Sequence, residues 1–126
     1  MMRRLLSVVG LALLLGCLDS RERLAPPKVT LSVTDQTVLP GGQVLGTISA
    51  SDASGIIYVA AQIRIEGDTL APRRAFENPP ESDTIQYNFS LTVRSGFSAG
   101  TAIYVSATVI DDQNFEVVKE DTIFIR

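Results

Sequence analysis

Residues 84–94 read TIQYNFSLTVR, and their alternation decides the fold class. Ile85, Tyr87, Phe89, Leu91 and Val93 fall on one side of an extended chain, and Gln86, Asn88, Ser90, Thr92 and Arg94 fall on the other. Successive side chains of a strand point to opposite faces, so this stretch reads as a strand with one face in a core and one in water. A helix with 3.6 residues per turn would scatter the same five apolar side chains around its circumference.

The period extends in both directions. Val29, Leu31 and Val33 alternate with hydroxyl residues, as do Val44, Gly46, Ile48 and Ala50. Ile57, Val59, Ala61, Ile63 and Ile65 form the inward set of the next run, and Ile103, Val105, Ala107 and Val109 that of a later one. The last run, FEVVKEDTIFIR at 115–126, would place Lys119 and Asp121 among its inward residues, which predicts a bulge or register break there. Turn-forming clusters separate the runs: LPGGQ at 39–43, SDASG at 51–55, EGD at 66–68, ENPPESD at 77–83, RSGFSAG at 94–100 and DDQN at 111–114. No helix longer than a turn is needed. The expectation is an all-β, antiparallel β-sandwich of about seven strands over residues 29–126, with a small β-barrel as the alternative.

Composition narrows the chemistry. The 126 residues are 45% hydrophobic but only 6% aromatic, with no Trp, so one modest core of Val, Ile, Leu and Ala is expected. The net charge of −3 argues against a nucleic-acid partner, which needs clustered Lys and Arg to displace counterions. Histidine is absent. Its absence removes Ser-His-Asp and Cys-His catalysis and the HExxH zinc site. No cofactor is expected.

The N-terminus has a different character. Arg3 and Arg4 precede an uncharged run, LLSVVGLALLLG at 5–16, in the manner of a secretory n-region and h-region. Twelve helical residues reach only about 18 Å, too short for a hydrocarbon core of roughly 30 Å. The run also lacks the 3.6-residue alternation of a helix lying on a globular surface. Leu14, Leu15, Gly16 and Cys17 resemble the lipobox of bacterial lipoprotein signal peptides, Leu15 standing where a smaller residue is commoner. The resemblance implies cleavage between Gly16 and Cys17 and a lipid on the Cys17 sulfur, since a thioether forms only on a nucleophilic thiol. It divides the chain into a signal peptide (1–16), a lipidated N-terminus and tether (17–28) and the domain (29–126). Two or more acyl chains would hold the protein stably to a bilayer. Leu18 after the cysteine implies export to the outer membrane where the host has one. The polar tether LDSRERLAPPK at 18–28 reaches about 35 Å when extended.

Within the domain, LPGGQVLGTISASDASGI at 39–56 and AGTAIYVSATVIDDQN at 99–114 resemble a bacterial immunoglobulin-like domain. The Cys pair and core Trp of antibody domains are missing. The resemblance implies an immunoglobulin-like sandwich used as a spacer, adhesion or interaction module, a fold that does not by itself fix a function.

Two candidate sites follow. In an immunoglobulin-like order, the loops carrying Ser51, Asp52 and Ser54 and carrying Asp111, Asp112 and Asn114 share one pole, where Asp52, Asp111 and Asp112 would offer oxygen ligands to Ca²⁺. The same residues also serve ordinary turns. The outward residues Tyr58, Gln62, Arg64, Tyr104, Ser106 and Thr108 would share one sheet face and form a binding platform. Arg73 and Arg74 are expected in a solvated loop, and the carboxylates Glu77, Glu81 and Asp83 crowd another loop without forming an acid/base dyad. The leading expectation is a lipid-anchored bacterial envelope protein that is not an enzyme. Its partners would be the membrane through Cys17 and an envelope protein or polysaccharide. A loop-wedge protease inhibitor and a small hydrolase are the alternatives.

Overall fold

The computed structural model describes residues 25–76 and 83–126. The signal and lipid readings at Arg3, Gly16 and Cys17, and the carboxylates Glu77 and Glu81, lie outside these residues. The described chain forms β1 (Lys28–Val33), β2 (Thr37–Val38), β3 (Gln43–Ser51), β4 (Ile56–Ile65), β5 (Arg73–Phe76), β6 (Thr84–Thr92), β7 (Ala102–Asp111) and β8 (Glu116–Ile125), with no helix among them.

These strands build two sheets, β1-β3-β6 and β2-β8-β7-β4-β5. All pairings are antiparallel except the short β2–β8 contact. The sandwich expected from the alternation is the architecture, with eight strands where about seven were expected. Two of them fall on no expected run: β2, where the chain leaves β1 and crosses to the edge of the other sheet, and β5. Both sheets contribute to one core: Val44, Ile48, Phe89 and Leu91 from the three-stranded sheet, and Val59, Ile63, Val105, Val109 and Ile123 from the five-stranded one. Each fully buried Ile or Val side chain stabilises the fold by about 1.5–3 kcal/mol. Gly46 is matched to its neighbour Phe89 across β3 and β6. A Cβ there would collide with the Phe89 ring and stand 2.7 Å from the Ser32 carbonyl, so the ring occupies the space a side chain would need.

Three expectations are corrected. In β4 the register shifts between Ile56 and Tyr58, so Ile56 is fully buried and Ile57 only half so, with the expected parity regained at Val59. Arg73 and Arg74 lie on β5, paired with Gln62 and Ala61 of β4, and not in a loop. The break expected in β8 is absent: pairing with β7 runs unshifted from Ala102 and Phe124 to Ile110 and Glu116. Lys119 keeps the inward parity and is nevertheless exposed. The reason is that β2 covers only Phe124 and Ile125, leaving the rest of β8 as a sheet edge from which a long charged side chain reaches water. Asp121, half-buried, turns its carboxylate to the edge-facing amide of Thr122, which donates to it at 2.9 Å.

Candidate functional site

The first candidate region is the pole formed by loops 51–55 and 111–115. The two loops meet as expected, the Asp112 amide donating to the Gly55 carbonyl at 2.9 Å. Asp111, the last residue of β7, is fully buried and is the one charged residue so buried among those described. Its Oδ1 accepts from the amides of Gln113 (2.9 Å) and Phe115 (2.8 Å). Asn114, left-handed at φ 65°, closes the turn, a conformation that its short polar side chain tolerates. The second oxygen, Oδ2, is buried with no donor among the described residues. The carboxyl of Asp52 is the titratable neighbour of Asp111.

Electrostatics divides this pair. Burial raises the Asp111 pKa above the ordinary value near 3.8, and the Asp52 carboxyl raises it further against the two opposing amides. Burial also raises Asp52, but the Ser54 hydroxyl (2.5 Å) and amide (2.8 Å), with the hydrogen bond from Asp111, outweigh it and hold Asp52 low. Of the two carboxyls, Asp111 is the one that takes up a proton first as pH falls. Asp112 is exposed and takes no part. Among the described residues no three His, Cys, Asp or Glu side chains come together in a way that could hold a metal ion. Nor does the pair suit acid/base catalysis, because Asp111 is sealed from any substrate. Beside it, Pro26, Lys28, Ser51, Asp52, Asp83 and Thr84 line an open cleft of about 360 Å³.

The second region is the outer face of the five-stranded sheet. Tyr58 on β4 and Tyr104 on β7 lie on neighbouring strands, and their partners Ile110 and Arg64 place them on one face. Gln62 stands opposite Ser106, and Ala60 opposite Thr108. Ala60 points outward yet is only 2% exposed, so its larger neighbours close over it. The Arg64 guanidinium stacks on the Tyr104 ring at 4.4 Å, and that of Arg73 on Tyr58 at 5.2 Å. Such cation–π contacts contribute about 0.5–1 kcal/mol at exposed sites and fix the guanidinium planes.

Beside the Arg64–Tyr104 stack, and not reaching Tyr58 or Arg73, is a hollow of about 310 Å³, lined by Gln62, Arg64, Tyr104, Ser106, Thr108, Val118 and Glu120. Four of its polar groups, the hydroxyls of Tyr104, Ser106 and Thr108 and the carboxylate of Glu120, make no hydrogen bond among the described residues. Gln62 has only a long 3.5 Å contact to the Ala71 carbonyl. Sequence reading found five of these lining residues and missed Val118 and Glu120. Reading β8 as broken hid the outward parity that places them opposite Thr108 and Ser106.

No protein-family model matches the chain, and no curated protein matches it. Among solved structures it is similar to Spo0M, a sporulation control protein from Bacillus subtilis, at 18% identity and a TM-score of 0.56 over 81% of this chain. The chain spans about half the length of that protein, 50%, and at this identity the likeness concerns the fold alone.

Proposed function

We propose that this is a lipid-anchored protein of the bacterial envelope whose single sandwich is a non-catalytic binding module, with the outer face of the five-stranded sheet as its binding surface. The observation that carries the binding reading is the hollow between Gln62, Arg64, Tyr104, Ser106, Thr108 and Glu120, where several polar groups converge without protein partners. The non-catalytic reading is supported by the sealed position of Asp111, the group with the raised pKa. The anchor reading rests on the resemblance of Leu14–Cys17 to a lipobox.

Two experiments test the two halves. Intact mass spectrometry of the protein extracted from its membrane should give a chain starting at Cys17 with two or three acyl chains, and a Cys17→Ser variant without them. An unmodified wild-type mass refutes the anchor. A photo-crosslinking residue placed at Ser106 should capture another envelope component in cells, whereas one at Gln86, exposed on the other sheet, should not. Equal or absent capture at both positions refutes the binding face.

A further inference from the structure

We infer that the hollow on the outer face of the five-stranded sheet binds a neutral saccharide chain, an inference that rests on reading this face as the binding surface. The lining supplies both hydrogen-bonding senses without a net charge. Arg64 only donates, Glu120 only accepts, and Gln62, Tyr104, Ser106 and Thr108 do both. Vicinal hydroxyls also donate and accept, so a polyhydroxylic ligand can satisfy such a set. An anionic or cationic ligand would leave one of the two charged side chains facing a like charge.

An apolar ligand is a poor match, since most small-molecule pockets are lined mainly by apolar side chains and Val118 is the one aliphatic wall here. Peptide recognition by strand addition needs a free sheet edge. The floor of this hollow is instead made by β4, β7 and β8, whose facing backbone edges are paired with one another. A ligand there is gripped by side chains alone. The hollow of about 310 Å³ is at the small end of the ligand range. Tyr58, with Arg73 stacked on it, lies six residues from Arg64 along β4, about 20 Å away. A chain of several rings running along β4 reaches both guanidinium–tyrosine stacks.

The test uses the full chain in detergent, observed by amide NMR during titration with soluble hexasaccharides of glucose, mannose and N-acetylglucosamine, and separately with oligogalacturonate and an acidic hexapeptide. At least one neutral saccharide should shift the amides of residues 62, 64, 104, 106, 108, 118 and 120. Its affinity should fall about tenfold in both Gln62→Ala and Glu120→Ala and be unchanged in Gln86→Ala, with melting temperatures preserved. If no neutral saccharide shifts these amides, or only the acidic probes do, the saccharide inference is overturned. Should Ser106 still crosslink to an envelope component, the face remains a binding surface with a ligand of another class. If neither result appears, both readings fall together.

Discussion

The acidic pole and the outer face of the five-stranded sheet are built from the same kinds of residue, and their polar groups meet opposite fates. At the pole, Asp111 and Asp52 are tied to their own loops: Asp111 Oδ1 accepts from two amides and Asp52 from Ser54, while the buried Asp111 Oδ2 has no donor among the described residues. On the sheet face the Tyr104, Ser106 and Thr108 hydroxyls are held side by side by the strands and spent on nothing within the described protein. The difference teaches that a convergent polar cluster serves the fold when its members are spent on the surrounding backbone, and stays available to other molecules when the strands align its members but leave them free. A third carboxylate sharpens the point. Asp68, on the connection between β4 and β5, is held by the guanidinium of Arg94 at 2.8 Å and joins two loops at the opposite pole. Asp111 has no such cation among the described residues, and its pKa moves up instead.

The largest effect expected from breaking this contrast is that of Asp111→Ala. The substitution removes the acceptor for the Gln113 and Phe115 amides inside a fully buried site. Taking the acceptor from two part-buried amides costs roughly 2 kcal/mol, a fall of about 8–16 °C in melting temperature for a domain of this size. Calorimetry checks it, and an unchanged Tm would mean that the loop is not held by this carboxylate.

The next effect is in pH dependence. Asp111 is raised, so the folded state holds its proton more tightly than the unfolded chain does. That contribution is complete below the ordinary value near 3.8 and is lost as pH rises through the raised value. Asp52 is lowered, so its contribution is present above 3.8 and lost as pH falls through its lowered value. Asp111→Asn replaces the titrating proton with a fixed amide donor toward Asp52 and keeps an acceptor for Gln113 and Phe115. The variant should therefore melt at or above the wild type at neutral pH, with the gap closing as pH falls toward 3.8. Melting curves of both proteins across this range provide the check, and a gap that widens on acidification would reverse the order in which the two carboxyls titrate.

Much of this was legible in the residues. The inward rows of β3, β6 and β7 were readable because each is half-buried and antiparallel, where period two is a direct record of which face meets the core. The meeting of loops 51–55 and 111–115 followed from the strand order, and Tyr58 and Tyr104 were readable as face-mates from parity alone. What parity does not carry is position within a sheet. Lys119 and Asp121 read as a contradiction because the alternation says which side a residue faces, not whether the strand is an edge. Ile56 was hidden by a bulge, which shifts phase without changing composition. The Asp52–Asp111 contact depends on tertiary distance, and in the sequence its carboxylates were indistinguishable from exposed Asp112.

A smaller effect is expected where the two fates meet, at the open edge of β8. Asp121→Ala removes the carboxylate that occupies the Thr122 amide, but water can reach an edge donor, so the cost is about 0.5–1 kcal/mol. Its consequence is larger in association than in stability. Combined with Lys119→Val, it removes both inward charges from a strand with one open edge that already carries exposed Val118 and Phe124. Sedimentation velocity should then show concentration-dependent self-association absent from the wild type, and a monomeric double variant would mean that these charges do not guard the edge.

The smallest effect is expected on the sheet face, where its smallness is the argument. Replacing Tyr104 by Phe, Ser106 by Ala and Thr108 by Val removes three hydroxyls from one face, more polar atoms than Asp111→Ala removes. None of the three hydroxyls has a hydrogen-bond partner among the described residues, so no buried group is orphaned. The Arg64 guanidinium retains an aromatic ring to stack on, and valine suits a strand at least as well as threonine does. The triple variant should unfold within about 0.5 kcal/mol of the wild type in urea. A loss of several kcal/mol would show instead that these hydroxyls serve the fold as Asp111 does, and the distinction between the two clusters would collapse.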